Sequence, residues 1–372
     1  MIPERDQMVF VSLEEMVPED HFLRRLADEF PWENWAEPFK KCFKGEKEYG
    51  PHGYPVATLL KMTVISYLYD LSDKLTENYV RDNNPARYFA GLGFRQDVPD
   101  ETTLCRFRSR IAQKGRDHLL KELFDRLLQR ASKFGIKMGK VQILDSVHTE
   151  SPIDVNKEEK VNEKRKEKGE PPEPPKDPDA TWGCKGKRKR KNKDTGELEE
   201  YNKWFYGYKT HVSMNSKTRL ATSILISTGK EADINAARFL LDEDRSKGIE
   251  ISLVTADKAY DDGDLHMYCG KNGIFPAIAL KKTRTEHKSK KLNEIWENLK
   301  SQPFYKKGLA LRYRVEQKFG EGKLSHGLRT ARYRGIRKFE FQSVFTFLSM
   351  NLKRIMKLAD SMSHGRLRMC ST

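Results

Sequence analysis

Three acidic residues stand where carboxylates from different elements can meet in a folded chain. Asp145 and Asp257 each follow directly on an apolar run typical of a buried strand, and Glu316 lies in a stretch with helical spacing. Magnesium or manganese ions prefer oxygen ligands, and magnesium needs only one or two carboxylates beside phosphate and water. Two such ions, roughly 3.5–4 Å apart, serve both the attacking and the leaving oxygen of a phosphoryl transfer. The trio therefore predicts a site for two divalent ions beside a phosphate.

The charge balance indicates what carries that phosphate. Among 372 residues, 70 are Lys or Arg and 54 are Asp or Glu, which gives a net charge of +16. Such an excess attracts polyanions, and nucleic acid is the leading candidate partner. The excess is clustered, most densely from Lys185 to Lys193. This basic block either clamps DNA phosphates when it becomes ordered or is a solvated loop, since charge runs are often no more than that.

Several protein classes are disfavoured by simple features of the chain. The first twenty residues lack the apolar run of a secretory signal, and no run reaches the roughly 18–20 apolar residues that span a bilayer. Five scattered cysteines never form a C-x-x-C pair, which argues against a disulfide framework and a zinc site. We expect a cytoplasmic, nucleoid-associated protein. His148, close to Asp145, fits a structural or solvent-facing residue better than a metal ligand.

The N-terminal third has the pattern of an all-helical domain, predicted for residues 1–136. Apolar residues recur at helical spacing after Pro55, and Ser72 and Asp100 are suited to cap two further helices. The stretch from Asp117 to Phe134 predicts another helix with one apolar face.

The helix after Asp100 has a polar face with two arginines besides its apolar face. Thr103, Arg106 and Arg110 share this polar face, away from the apolar stripe of Leu104 and Phe107. Such a face suits a helix laid against a DNA groove, and it equally suits a solvated arginine surface.

From residue 137 the pattern changes to strands. Three early strands that can pair as a meander, followed by strand, helix and strand, predict an α/β fold in which helices flank a mixed sheet over residues 137–335. Residues 151–200, between the first two strands, are charged and proline-containing and are expected to be flexible. A C-terminal helix, 336–362, should pack on the core and precede a tail, 363–372.

The neighbours of the acids add cations. Lys258 directly follows Asp257, Arg312 lies one helical turn before Glu316, and Lys323 lies seven residues after it. The plain alternative is an Arg312–Glu316 surface pair worth a few tenths of a kcal/mol.

Most of the chain resembles one family, the DDE transposases of the IS4/IS5 insertion sequence type, whose catalytic core is ribonuclease H-like. The similar segments are Val17-Pro-Glu-Asp-His21 with Leu23-Arg24, Tyr54-Pro with Leu59-Leu-Lys61, Tyr67-Leu-Tyr-Asp-Leu-Ser72, Thr102-Thr-Leu-Cys-Arg-Phe-Arg108 and Gly207-Tyr-Lys-Thr-His211. The resemblance implies a ribonuclease H-like mixed sheet flanked by helices, preceded by a helical domain that binds the element's ends.

The acids match the family's pattern one by one. Asp145 matches the first catalytic aspartate, Asp257 the second in D-K-x-Y-D, and Glu316 the glutamate of Y-x2-R-x3-E-x6-K. Arg312 and Lys323 match the arginine and lysine of that pattern. The tyrosine is absent.

Three departures from the pattern bear on the site. Leu309 occupies the tyrosine's position, which leaves Tyr305 and Tyr313 as substitutes, and Ser146 follows the first aspartate where relatives often have glycine. The interval between Asp257 and Glu316 leaves little room for the all-β insertion of some relatives.

The resemblance implies a transposase that nicks each element end and then joins the freed 3′-OH to target DNA. Asp145, Asp257 and Glu316 would hold two Mg²⁺ or Mn²⁺ ions, while Arg312, Lys323 and Lys258 contact phosphates near the cut. Arg106 and Arg110 would contribute to end recognition. Double-stranded DNA is the expected partner, and a homodimer or larger synaptic complex is expected because two ends must be joined; no membrane is involved. Two alternatives remain open, a nuclease of the same fold that does not join strands, and a catalytically silent DNA-binding regulator.

Overall fold

The computed structural model describes residues 10–43, 53–191, 196–282 and 289–370 of the chain. Lys193 of the basic block and residues 371–372 of the predicted tail lie outside these ranges. The chain divides into two compact units, Met1–Arg126 and Leu127–Thr372. Among the described helices, none is both long and apolar enough to cross a bilayer.

The first unit is helical, as the sequence predicts. Its helices are α1 (Leu13–Met16), α2 (Phe22–Glu29), α3 (Trp32–Lys40), α4 (Val56–Leu68), α5 (Asp73–Asp82), α6 (Asn84–Ala90), α7 (Glu101–Ile111) and the start of α8 (Asp117–Lys133), which continues into the second unit. The side chain of Ser72 caps α5 and that of Asp100 caps α7, so both predicted caps are confirmed. Each cap accepts one of the amide hydrogen atoms that a helix start leaves unpaired.

The second unit contains one mixed sheet. Its strands are β1 (Val141–Glu150), β2 (Thr181–Lys191), β3 (Leu198–Asn215), β4 (Ala221–Thr228), β5 (Leu253–Ala256) and β6 (Phe275–Ile278). β3 pairs antiparallel with β1 and β4, whereas β1 pairs parallel with β5, and β5 with β6. The order β4–β3–β1–β5–β6 is therefore a three-stranded meander extended by two parallel strands, which is the ribonuclease H-like topology. The predicted fold class is confirmed.

Helices cover both faces of this sheet. One face packs on α10 (Ile234–Ser246) and α11 (Gly263–Lys271), and the other on α13 (Pro303–Ala310), α14 (Tyr313–Ser325) and α15 (Ile336–Cys370), with α12 (Lys290–Ser301) beside α13. Strand alternation decides which residue faces which layer. On β3, Thr210 bonds Ser343 of α15, whereas Ser213 bonds Asp244 of α10.

The segment between the second and third predicted acids is mainly helical. Its described part contains α11, β6, α12 and α13 and no strand besides β6.

β1 is longer than the sequence suggested. The apolar run predicted a strand ending at Leu144, with Asp145 just beyond it, but the strand continues to Glu150. The prediction was wrong because β3 pairs along the whole of β1, as far as Glu150 with Gly207, and so supplies partners for its polar half. The parallel partner β5 stops earlier, since its last pair with β1 is Ile143 with Thr255.

The insertion 151–200 contains the helix α9 (Val155–Glu167) and the strand β2. Asp177 ties it to the rest of the unit. The buried carboxylate accepts hydrogen bonds from Ser151 Oγ at 2.6 Å, the Tyr208 hydroxyl at 2.5 Å and the Gly335 amide at 3.0 Å. These contacts join the start of the insertion to β3 and to the segment before α15.

We expect Asp177→Ala to lower the free energy of unfolding by about 2–4 kcal/mol, because the buried hydroxyls of Ser151 and Tyr208 lose their acceptor. Urea denaturation followed by fluorescence measures the change. Asp154→Ala is the matched control, since it removes an aspartate of the same insertion that caps α9 at an exposed position and has only an exposed ion pair to Lys157 besides. That control should lose about 1 kcal/mol. Equal losses in the two variants would show that Asp177 is not an anchor.

Candidate active site

The pairing of β1 with β5 brings two of the predicted acids together. The two strands are parallel with Ile143 opposite Thr255, and continuing this register by two residues aligns Asp145 with Asp257. Neighbouring strands lie about 4.8 Å apart. Asp145 also lies opposite Val212 of β3 and therefore shares its face of the sheet, the one covered by α13 to α15.

Local structure holds each carboxylate. Asp145 Oδ1 accepts a hydrogen bond from the amide of Ser146 at 2.8 Å. Asp257 begins a single 3-10 turn, Lys258–Tyr260, and its Oδ1 accepts from the amide of Ala259 at 2.8 Å. Both side chains remain partly accessible, with one oxygen of each committed to the backbone.

Asp145 is the electrostatically unusual member of the pair. Burial raises the pKa of its carboxyl group to about 7, the negative charges of Asp257 and Asp233 contribute in the same direction, and the Ser146 amide and the Arg312 guanidinium oppose the shift. The aspartates therefore repel one another with incomplete compensation from cations. A bound divalent cation would favour the ionised carboxylate in this setting.

Glu316 is not part of a preformed ligand set. Its side chain is exposed on α14, and among the described residues no three His, Cys, Asp or Glu side chains converge to hold a metal ion. Helical spacing nevertheless puts Glu316 on the same side of α14 as Arg312 and Lys323. The charge of Arg312 acts on Asp145, and that of Asp145 acts on Lys323, so these two cations lie within the field of Asp145, and α14 contacts β1.

Arg312 does not form the surface pair that was the plain alternative. No ion pair joins it to Glu316 within 4 Å in the described part of the chain, and its buried Nε has no hydrogen-bond partner there. The guanidinium is therefore able to bind another anion.

Tyr260 supplies a second buried donor. Its side chain is fully buried, and its hydroxyl has no hydrogen-bond partner among the described residues. Burial, followed by the charges of Asp233, Asp145 and Asp257, raises the pKa of this hydroxyl well above its usual value. Tyr260 thus stays protonated beside the carboxylates.

Asp233 is the residue that sequence reasoning missed. It precedes α10, and its Oδ1 accepts from Lys209 Nζ at 2.9 Å and lies 3.9 Å from His211 Nδ1. Burial lowers the pKa of His211 to about 4, so this ring is neutral near pH 7. The available signal was a further acid in the segment between β4 and α10.

The two lysines predicted near the acids and His148 differ in their exposure to solvent. Lys258 is exposed beside Asp257, and Lys323 is half-buried, with a pKa lowered first by burial and then by Lys185 and Arg329. His148 packs against the ring of Phe205.

Neither substitute tyrosine takes a clear role at the acids. The Tyr305 hydroxyl donates to the carbonyl of Ile278 at 2.8 Å inside the core. Tyr313 is 45% exposed, beside the guanidinium of Arg314.

In the first unit, Arg106 is exposed on α7, and the Arg110 guanidinium lies 4.7 Å from the centre of the Phe43 ring. The buried arginine of this helix is Arg108, which forms two hydrogen bonds to Asp73.

The basic block forms one arm of a two-stranded ribbon, defined here as residues 185–191 of β2 and 198–204 of β3. Strand alternation puts Lys187, Lys189 and Lys191 on one side and Arg188 and Arg190 on the other, and both sides are exposed. Glu199 and Glu200 of the facing strand offset only part of this charge. A two-stranded ribbon fits the major groove of DNA.

The base of the ribbon contacts the end of β1. Lys185 contacts Glu150, at the end of β1, with a distance of 2.5 Å between Nζ and Oε1. Its charge also lowers the pKa of Lys323 and of His148, after the effect of burial. Positive charge therefore extends from α14 into the ribbon.

Comparisons with known proteins place both units of the chain in transposase families. The family described as a transposase domain (DUF772) matches residues 11–110, and the transposase DDE domain family matches residues 179–352. Together these matches span about three quarters of the chain. Among solved structures, a piggyBac transposase synaptic complex with hairpin DNA aligns with 93% of this chain and 80% of that one, at 10% identity and a TM-score of 0.36.

The raised pKa of Asp145 predicts a pH-dependent stability in metal-free buffer. The carboxyl group is protonated up to about pH 7 when folded but ionises from 3.8 when unfolded. The stability that the protonated Asp145 contributes is therefore fully present below the pKa of the unfolded state. It is lost as pH rises through the pKa of the folded state. The side chain of Asp145→Asn cannot ionise. The free energy of unfolding of this variant should therefore exceed that of the parent by a margin that grows between about pH 4 and 7, reaching on the order of 2–4 kcal/mol.

Urea unfolding at a series of pH values with a chelator measures this difference. Asp264→Asn, an exposed position on α11, is the control and should show no such trend. A constant difference between parent and Asp145→Asn across this range would contradict the assigned environment of Asp145.

Proposed function

We propose, since this chain belongs to the DDE transposases of insertion sequences, that it cuts the ends of its element and joins each freed 3′-OH to target DNA. One observation carries the proposal. Asp145 and Asp257 are in register on adjacent parallel strands, on the face covered by the helix that carries Glu316.

The carboxylates suit divalent ions. Asp145, Asp257 and Glu316 would hold two Mg²⁺ or Mn²⁺ ions, and the burial of Asp145, with the only partly offset repulsion from Asp257, favours a cation there. When bound, such ions lower the pKa of an attacking water and offset charge on the leaving oxygen.

The cationic side chains near the aspartates would bind the phosphate that is cut. Arg312 offers a buried donor without a partner among the described residues, and Lys323 lies within the field of Asp145. Both would bind non-bridging oxygens of the phosphate that is cut, together with Lys258. Such fixed charges stabilise the transition state because they need no rearrangement as negative charge develops.

Asp233 is a competitor for the third acidic position. Its charge acts on both Asp145 and Tyr260, whereas Glu316 is exposed. Its contact with Lys209 favours a positioning role, in which Asp233 holds Lys209 and His211 beside the site.

Double-stranded DNA is the proposed partner, both as element end and as target. The ribbon would follow its backbone away from the acids, and Arg106 and Arg110 of α7 would contribute to end recognition. A homodimer or larger assembly follows from the need to join two ends in one reaction.

We expect Asp145→Ala and Asp257→Ala to reduce strand cleavage on the order of 10³-fold, because each removes an inner ligand for the ions. The measurement uses a donor plasmid carrying the DNA that flanks the reading frame, with Mg²⁺ or Mn²⁺, and a pre-cut end to assay joining. Glu316→Gln should match these losses, whereas Asp233→Asn should retain at least a tenth of the activity. Glu297→Gln, an exposed glutamate of α12, is the control.

Three results would change the assignment. Full activity of Asp145→Ala would refute the active site. Severe loss in Asp233→Asn with little effect in Glu316→Gln would make Asp233 the third acid. Cleavage without joining of a pre-cut end would identify a nuclease.

The ribbon makes a separate prediction about binding. Replacing Lys187, Lys189 and Lys191 together by Gln should weaken duplex DNA binding roughly ten-fold. The slope of the logarithm of the binding constant against the logarithm of the salt concentration should become shallower by about 2–3, because each lost phosphate contact removes close to one unit of slope. Fluorescence anisotropy over a series of salt concentrations measures both quantities.

The matched control removes three exposed lysines of α9, Lys160, Lys164 and Lys166. It changes net charge equally, so an identical effect would mean that only overall charge matters and that the ribbon has no special role.

A further inference from the structure

The second unit contains a cationic pocket away from the acids. It lies between α14, α15 and the turn that joins β3 to β4, and it has a volume of about 210 Å³. Six cationic side chains line it, namely Arg219, Arg314, Lys318, Lys353, Arg354 and Lys357, against the single carboxylate of Glu321. Arg314, Lys318 and Glu321 share one side of α14, opposite the side that carries Glu316.

Lys318 is the unusual member of the cationic pocket. Its side chain is only 5% exposed, and no hydrogen bond or ion pair within 4 Å is found for its ammonium in the described part of the chain. Burial lowers the pKa of Lys318 to about 8; the charge of Glu321 opposes this shift, and those of Arg354 and Lys353 add to it. An unpaired buried ammonium is unfavourable, and an apolar residue of similar size would be tolerated better.

The neighbouring guanidinium groups are held by hydrogen bonds between the turn and the two helices. Arg314 Nη1 donates to the carbonyl of Ser216 at 2.6 Å, and Arg354 Nε donates to that of Thr218 at 2.7 Å. Arg219 Nη1 donates to Gln317 Oε1 at 3.3 Å. Each guanidinium has five N–H donors, so these anchors orient the group while leaving donors for a ligand.

The cationic pocket therefore gathers fixed donors and like charges with almost no counter-charge. Arginine and lysine in this arrangement are the groups that bind phosphate oxygens. The volume is below the roughly 300–1,000 Å³ of pockets for drug-sized ligands, which favours a single phosphate group over a whole nucleotide.

We propose that the cationic pocket binds a phosphate group, supplied by the backbone of DNA or by a free phosphate ion. The DNA source rests on the proposed function, whereas the free ion does not. The pocket would make a second contact with phosphate, on the side of α14 that faces away from the acids.

Thermal unfolding of the full chain in inorganic phosphate, compared with sodium chloride of equal ionic strength, tests the shared chemistry. Phosphate at about ten times its Kd should raise the Tm by about 2–4 °C. Lys318→Met should unfold at a higher temperature than the parent in chloride, because a buried charge is gone, and should lose the phosphate-dependent increase.

Two further variants keep this test decisive. Lys357→Gln changes an exposed residue at the cationic pocket, should fold normally, and should weaken the phosphate effect several-fold. Lys307→Met, an exposed lysine of α13, should respond to phosphate like the parent.

Duplex binding in chloride buffer identifies the source. If DNA supplies the phosphate, Lys318→Met and Lys357→Gln each weaken duplex binding and reduce its salt slope by about one. Inorganic phosphate then also competes with the duplex for binding to the parent. If a free ion is the ligand, duplex binding is unchanged while the thermal effect of phosphate persists.

The proposal is overturned if phosphate stabilises the parent no more than chloride, or stabilises Lys318→Met equally. Asp145→Ala should keep the full phosphate effect, so failure of the catalytic proposal leaves this result intact.

Discussion

The position of the two aspartates depends on the hydrogen bonds of β1, which pairs with β3 along one edge and with β5 along the other. Two carboxylates that repel each other are held on adjacent strands because the ladders on either side fix the register independently of the side chains. A shift of one residue in the β1–β5 register would turn Asp145 or Asp257 to the opposite face of the sheet. The antiparallel ladder with β3 extends past the end of β5, so Asp145 remains rigid where the parallel pairing stops.

Three carboxylates of the second unit, those of Asp177, Asp244 and Asp145, differ in how fully they are hydrogen-bonded. Asp177 accepts three hydrogen bonds, and Asp244 accepts from the hydroxyls of Ser213 and Ser223 at 2.5 and 2.6 Å. These two carboxylates are satisfied and hold layers of the unit together. Asp145, in contrast, accepts from one amide and faces like charges. This lack of hydrogen-bond partners, more than burial, is what singles out Asp145 as a candidate active-site acid.

Positive charge in this unit is distributed by strand and helix periodicity. α14 presents Arg312 and Lys323 on one side and Arg314 and Lys318 on the other, so a single helix serves both the acids and the cationic pocket. The ribbon extends the first of these charged surfaces through Lys185. A polyanion therefore meets cations on several elements, all attached to the sheet that carries the aspartates.

Local patterns in the sequence determined the features that depend on near neighbours. The caps at Ser72 and Asp100, the end of β5 before Asp257, and the shared helix side of Arg312 and Glu316 all follow from residues within a few positions of each other. Only the tertiary structure decided the length of β1, the alignment of Asp145 with Asp257, the proximity of Asp233 and the gathering of cations around Lys318. Each of these depends on pairing or packing between segments far apart in the chain, and no local propensity encodes which partner a strand edge or a helix face will meet.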